Sequence, residues 1–425
     1  MVSRIGLILT YALWSTLSIA SSQNDTSPVS NELFNSLEEL SRLVDVAYCV
    51  STTGVQEPFQ CLSHCAEFPE MELVTTWNTG IFLSDSCGYI AVSHTPPSER
   101  IIVAFRGTYS ITNTIIDLSA YPQAYVPYTG DDGSKPCENC TVHAGFMTSW
   151  ENTRSAILPH LLSLREQYPD YEISLVGHSL GGAVAALAGL DMKLAGWDPL
   201  VTTFGEPMVG NEEFAKFLDE AFHLESSSPS PSPSSGSSSL DAGLLQDTQT
   251  FRFRRVTHIN DPVPLLPLRE WGYAPHAGEL FITKSDLSPL REDVRICTGD
   301  QDPRCIAAAE TTTTTSLSNM YRDSGMPAEI FSSPRDPCPS STDQIRPESG
   351  AQVVLGKSKS QRKSRGGSGT CTSRDADADA PLYPLNWKWS LIPARYRLWE
   401  LFFSHRDYFW RIGLCVPGGD PTGWL

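Results

Sequence analysis

The stretch "SLVGHSLGGAVAAL", Ser174 to Leu187, decides the fold. The residues leading into it, "YEISLVG", form an apolar run with β-branched members, the pattern of a buried strand. The residues after it, "LGGAVAALAGLDMKLAG", read as a small-residue helix that Gly196 would end. Between the two stands Ser179, with Gly177 and Gly181 completing a G-x-S-x-G pattern. A strand that turns sharply into a helix strains the serine backbone and leaves no room for a Cβ at the two flanking glycines. The pattern therefore predicts a nucleophile elbow. The competing reading, a glycine-rich nucleotide loop, lacks both G-x-G-x-x-G and the P-loop lysine.

Working outward, apolar runs at "GYIAVS", "IIVAFRG", "LVTTFG", "FRFRRVTHI" and "ELFIT" alternate with helical patterns. One of these helices is "MTSWENTRSAILPHLLSLREQYP"; another lies in "NELFNSLEELSRLVDVAYC", where Leu33, Leu37, Leu40 and Val44 share a face. Strand and helix alternating in this way predict an α/β fold, a mostly parallel central sheet with helices on both faces, as one domain over residues 31–425. Two segments fall outside the rhythm. The Ser/Pro/Gly-rich insertion 226–247 has a linker composition, and residues 311–380 carry too few apolar side chains to repay ordering, so both are expected to be disordered. The latter holds a basic run from Lys357 to Arg365, read as a solvated loop that proteolysis could nick.

The chain has 425 residues, 40% of them hydrophobic, and a net charge of −18, which opposes binding to nucleic acid. At the N-terminus Arg4 precedes an apolar stretch from Ile5 to Leu17 and then small residues, the layout of a cleavable secretory signal over residues 1–22. No other stretch is suited to span a bilayer, so no integral membrane span is expected after signal removal. Eleven cysteines agree with export to an oxidising compartment. Cys61 with Cys65, Cys137 with Cys140, and Cys297 with Cys305 are local pairing candidates, while Cys415 needs a distant partner. Cys137-x-x-Cys140 lacks a second ligand pair at zinc-site spacing, so no metal is expected. Asn24 and Asn139 are glycosylation acceptors by motif.

A serine hydroxyl needs a base to take its proton and a third group to orient that base. On this fold the chain order is serine, acid, histidine. Asp261 follows a predicted strand and precedes Pro262, at a strand's carboxyl end where open α/β sheets place their sites. Asp191 and Asp198 lie on or just past the elbow helix, a poorer location, and His258 precedes Asp261 and drops out of the order. The base is then His276, on the approach to a strand, or His405, beyond the last candidate strand; the second position suits catalysis better. For the developing oxyanion, the N–H of Leu180 is one donor, and Thr108, after Gly107 in "IIVAFRGTYS", offers an N–H and a hydroxyl.

With these residues located, the chain resembles the fungal class 3 lipases, secreted α/β-hydrolases that split triacylglycerol. The resemblance rests on "FRGT" (105–108), "VHAGF" (142–146), "VGHSLGGA" (176–183), "FGEPMVGN" (204–211), "VTHINDPVPLLP" (256–267) and "SHRDYF" (404–409), six motifs in the family's order. It implies Ser179 as nucleophile, Asp261 as orienting acid, His405 as general base, and Thr108 and Leu180 as oxyanion donors. It implies no cofactor. Met208 stands where many relatives have Arg, and the interval from Asp261 to His405 is far longer than in compact members, which keeps His276 in view. The resemblance also implies a lid after Thr108; there Ile111, Ile115 and Leu118 recur at helical spacing and would give a short helix one apolar face for a lipid–water interface. The expected activity is that of a triacylglycerol lipase, hydrolysis of long-chain acylglycerol esters. The alternatives are a feruloyl-type or phospholipid esterase on the same fold, or a catalytically silent binding protein.

Overall fold

The computed structural model describes residues 28–80, 86–96, 99–108, 118, 125–127, 137–224, 252–308 and 403–416. The expected signal over 1–22, Asn24, the insertions 226–247 and 311–380, and the lid positions Ile111 and Ile115 lie outside these residues.

Eight strands form the central sheet: β1 (Met71–Asn78), β2 (Cys87–Ser93), β3 (Arg100–Arg106), β4 (Glu172–His178), β5 (Leu200–Phe204), β6 (Phe253–His258), β7 (Glu279–Ile282) and β8 (Val294–Ile296). They lie side by side in chain order. The pairs from β3 to β7 are parallel and the three pairs at the edges antiparallel, so the centre has the crossover geometry the alternating pattern requires. A second sheet of four short strands, Tyr125–Pro127, Thr141–His143, Gly210–Asn211 and Tyr273–Ala274, was not foreseen. Nor were β1 and β8, which lack a long apolar run.

The continuous apolar strands are explained by burial on both faces. Ile101, Val103 and Phe105 of β3 enter one core with residues of α2 (Ala144–Gln167), α3 (Leu180–Leu194) and α4 (Glu212–Phe222). The intervening Ile102 and Ala104 enter the opposite core with α1 (Asn31–Val46). In α1 the four residues picked out by spacing, Leu33, Leu37, Leu40 and Val44, are all buried, and Ser30 caps the helix by accepting the Leu33 N–H at 3.1 Å. Among the described residues four disulfides form: the three local pairs expected, and Cys49–Cys415, which supplies the distant partner of Cys415. Cys87 is buried as a free thiol. Among the described residues no helix is long and apolar enough to cross a membrane.

Candidate active site

β4 ends at His178 and α3 begins at Leu180, so Ser179 alone makes the turn, at φ 58° and ψ −129°. The two glycines allow it. A Cβ on Gly177 would lie 2.1 Å from the Gly181 carbonyl oxygen, and one on Gly181 would lie 2.3 Å from that of Phe105. Gly181 thus brings the start of α3 against the end of β3, and Gly107 just beyond β3 meets the serine, a Cβ there falling 2.8 Å from the Ser179 Cβ. Thr108 follows directly, its hydroxyl oxygen buried and without a partner. As the first residue of α3, Leu180 has an N–H that the helix itself does not use.

Asp261 lies past β6, where its Oδ1 accepts the Val263 N–H at 2.9 Å. His405 arrives from residues 403–416 with Nδ1 at 2.8 Å and 2.9 Å from the two carboxylate oxygens. Tyr408, one turn on, donates its hydroxyl to Asp261 Oδ2. The junction of these groups is filled by Gly205 at φ +59°, whose added Cβ would lie 2.8 Å from each of Asp261 Oδ2, His405 Cε1 and Tyr408 Oη. The preceding residue, Phe204, accepts the Ser179 N–H through its carbonyl at 2.9 Å, so one turn touches both serine and acid. Because the carboxylate only accepts, Nδ1 of His405 carries a hydrogen, which leaves Nε2 as the nitrogen that presents a lone pair in the neutral ring. That atom and Ser179 Oγ are both buried and have no hydrogen-bond partner.

A second chain of bonds, invisible in the sequence, runs behind the serine. The His405 carbonyl can only accept, so His178 Nε2, 2.8 Å away, must donate. Its Nδ1 then accepts from Tyr48 Oη at 2.6 Å, and Tyr48 Oη accepts the Gly107 N–H at 3.1 Å. Burial, followed by the neighbouring His405, holds His178 well below the usual imidazole range, which keeps it neutral. Burial also pushes the Tyr48 phenol up to about 12, so it stays a donor. The lone signal for this chain was His178 itself, inside the elbow motif; Tyr48 sits in a helical pattern and gave none.

The structure does not bring His276 to the serine's partners. Its Nε2 faces Glu206 Oε1 at 3.0 Å and its Nδ1 faces the Ala277 carbonyl at 2.8 Å, so both nitrogens are occupied. Glu206, in the same loop as the buried Met208, is the partner that sequence reading missed. Asp191 accepts from Trp150 Nε1, and Asp198 pairs with Lys193 and Arg252 on the surface. Leu118, the described member of the lid trio, is buried in the same core as Leu180, Val209, Val263 and Leu266. Asn139 is exposed, as a glycan acceptor must be. Among the described residues, the one close grouping of metal-ligand types is Glu279, Cys297 and Cys305. Its two sulfurs are joined to each other, so it offers no thiolate to a metal.

Comparison with known proteins bears on what this arrangement does. A family model described as lipase (class 3) matches residues 102–271. A secreted mono- and diacylglycerol lipase of Gibberella zeae is 44% identical, the match covering 95% of this chain and 88% of that one. Lipase A of Sodiomyces alcalophilus is 46% identical over 93% of this chain and 85% of its own. Among solved structures, the Lip2 lipase of Yarrowia lipolytica is 35% identical with a TM-score of 0.58, covering 67% of this chain and 90% of that one.

Proposed function

Since the chain belongs to the class 3 lipases, we propose that it is a secreted enzyme in which Ser179, His405 and Asp261 hydrolyse acylglycerol esters through an acyl-serine intermediate. The observation that carries this is His405 held through Nδ1 by Asp261 at 2.8 Å while its Nε2, Ser179 Oγ and Thr108 Oγ1 are buried without partners. An unpaired polar atom in the interior costs free energy wherever it stands, as at Ser174, Thr202 and Thr203, and what sets these three apart is the carboxylate-held imidazole among them.

In the first half-reaction His405 Nε2 takes the Ser179 proton as Oγ attacks the ester carbonyl carbon. The negative charge that develops on the carbonyl oxygen meets the N–H groups of Leu180 and Thr108 and the Thr108 hydroxyl. His405, now an imidazolium stabilised by Asp261, gives its proton to the leaving alcohol as the C–O bond breaks. Water then repeats the sequence on the acyl-enzyme, the carboxylic acid leaves and Ser179 is restored. Val263 and Tyr408 hold Asp261 so that its charge faces Nδ1 throughout. No step calls on a metal or organic cofactor.

Ser179 and His405 are fully buried, so an ester reaches them only after the covering apolar side chains part. Leu118, the described lid position, is buried in the same core as Leu180 beside the nucleophile, which supports a lid that opens at a lipid–water interface. Mono- and diacylglycerol are the favoured substrates, on the strength of the activity named for the Gibberella zeae relative. Export is supported by four disulfides as well as by the relatives described as secreted.

Initial rates on emulsified mono-, di- and triacylglycerol, a phospholipid and methyl ferulate test this reading. Acylglycerol rates far above the other two support it, with monoacylglycerol and diacylglycerol ahead of triacylglycerol. A preference for ferulate or phospholipid moves the protein to an esterase reading, and no turnover of any ester moves it to a binding role.

A further inference from the structure

The catalytic histidine reaches the site on a piece of chain whose described contacts are peculiar. Residues 309–402 precede it and lie outside the described set, so what is seen to fix residues 403–416 comes from elsewhere. On one side are Asp261 and His178, already part of the site. On the other side is the N-terminal region. Phe409 packs edge-on against Phe34 of α1 with ring centres 5.3 Å apart, and the guanidinium of Arg42 lies over Trp410 at 5.8 Å. Trp410 also meets the buried His64 at 5.1 Å. The Gly413 N–H donates to the buried carboxylate of Asp45 at 2.6 Å. Arg406, buried next to His405, sits over the Tyr48 ring. The covalent link in this set is Cys49–Cys415, spanning 366 residues of sequence, with Thr53 Oγ1 3.2 Å from Cys415 Sγ.

Cys49 is the residue after Tyr48, and Tyr48 hydrogen-bonds both His178 and the Gly107 N–H. The disulfide therefore joins the His405 segment to the same short helical turn, Ala47–Cys49, that touches the oxyanion loop and the residue before the nucleophile. We propose that Cys49–Cys415 is a positioning latch for the catalytic base: it holds His405 in register with Ser179 rather than merely adding to global stability. The inference rests on His405 being the base, as argued above. Neither cysteine belongs to a strand, so the sheet's pairing does not use the bridge, although both are buried in the core that α1 forms with Ile102, Ala104 and Val176. A base displaced by an ångström loses about a hundredfold in rate, whereas binding of the apolar acyl chain is untouched.

The test compares wild type, Cys49→Ser/Cys415→Ser and His405→Ala on a soluble short-chain ester, at a temperature where circular dichroism shows each variant folded. Hydrogen exchange is followed over residues 403–416. The latch predicts that the double variant loses about a hundredfold in kcat with KM within about twofold. Faster exchange should then be confined to that segment and its N-terminal contacts. A kcat within twofold of wild type, whatever happens to Tm, overturns the latch. An inactive His405→Ala beside an active double variant overturns the latch alone; an active His405→Ala overturns the base assignment and the latch with it. If the double variant does not fold, wild type is treated with a phosphine, which gives two electrons to the disulfide while water supplies the oxygen of the phosphine oxide and the protons of the two thiols. Alkylation and mass mapping then show which bridge opened. Activity falling in step with opening of Cys49–Cys415 and returning on reoxidation supports the latch, and activity that survives its opening overturns it.

Discussion

Ser179 is held in a backbone region where a side chain costs about 1–3 kcal/mol, and the surrounding glycines are what make that conformation persist. Gly205 is the same kind of residue on the acid's side. Its left-handed φ and the three atoms 2.8 Å from an added methyl leave no tolerated substitution, since Asp261, His405 and Tyr408 would all have to shift. Gly205→Ala should therefore lower kcat by at least about tenfold and cost about 1–3 kcal/mol of stability, measurable by ester turnover and denaturant unfolding. Tyr408 makes a subtler contribution. Removing its hydroxyl leaves His405 and Val263 on the carboxylate and strips one bond to a charged group, typically worth about 1.5–3 kcal/mol. Tyr408→Phe should fold normally and show a kcat reduced by roughly 10-fold to 100-fold with KM little changed. Such residues were partly legible: the glycines announced a tight turn, while the partner of Asp261 could not be known without the fold that brings position 408 to it.

At the scale of elements, α2 is capped in an unusual way. His143 Nδ1 accepts the N–H groups of Gly145 and Phe146 at 3.1 Å and 3.3 Å, and its ring stacks on Phe146. Burial holds this imidazole down at about 4, against 6.5 for an ordinary histidine. With the folded value below the unfolded one, the unfolded chain takes the proton first as pH falls. Stability is thus full above about 6.5, declines between there and about 4, and the cap is lost once the ring is protonated. Replacing His143 by Asn keeps an acceptor at the cap and removes the titration. The expected result is a flatter Tm against pH between 6.5 and 4, read by thermal unfolding of both proteins. The sequence showed a helix here but started it later, because a histidine is a rare cap and the "VHAGF" motif hid the boundary. It showed the central strands well, since burial on both faces writes continuous apolar runs. The edge strands β1 and β8 went unseen because neither carries a long apolar run, although each pairs with its neighbour in the chain, and the second sheet because Gly210–Asn211 pairs with strands distant in sequence.

For the molecule as a whole, the net charge of −18 opposes approach to anionic surfaces. Raising the salt shortens the Debye length from about 10 Å at 0.1 M to about 3 Å at 1 M. Hydrolysis of emulsions carrying anionic lipid should accelerate over that range more than hydrolysis of neutral emulsions, as initial rates would show. The candidate site was legible in outline because its parts lie in short local motifs, those of Thr108, Ser179 and Asp261 just past strand ends, and the chain order of serine, acid and histidine pruned the choices. What set His276 aside was the buried Glu206 beside it, a contact between two loops that carries no local pattern. The proposed chemistry turns on Ser179 being activated by His405. Labelling with a lipid-like phosphonate, followed by peptide mass mapping, should place one adduct on Ser179 in wild type and His276→Ala, and slow it by on the order of a thousandfold or more in His405→Ala. Undiminished labelling of His405→Ala, or an adduct on a residue other than Ser179, would contradict it.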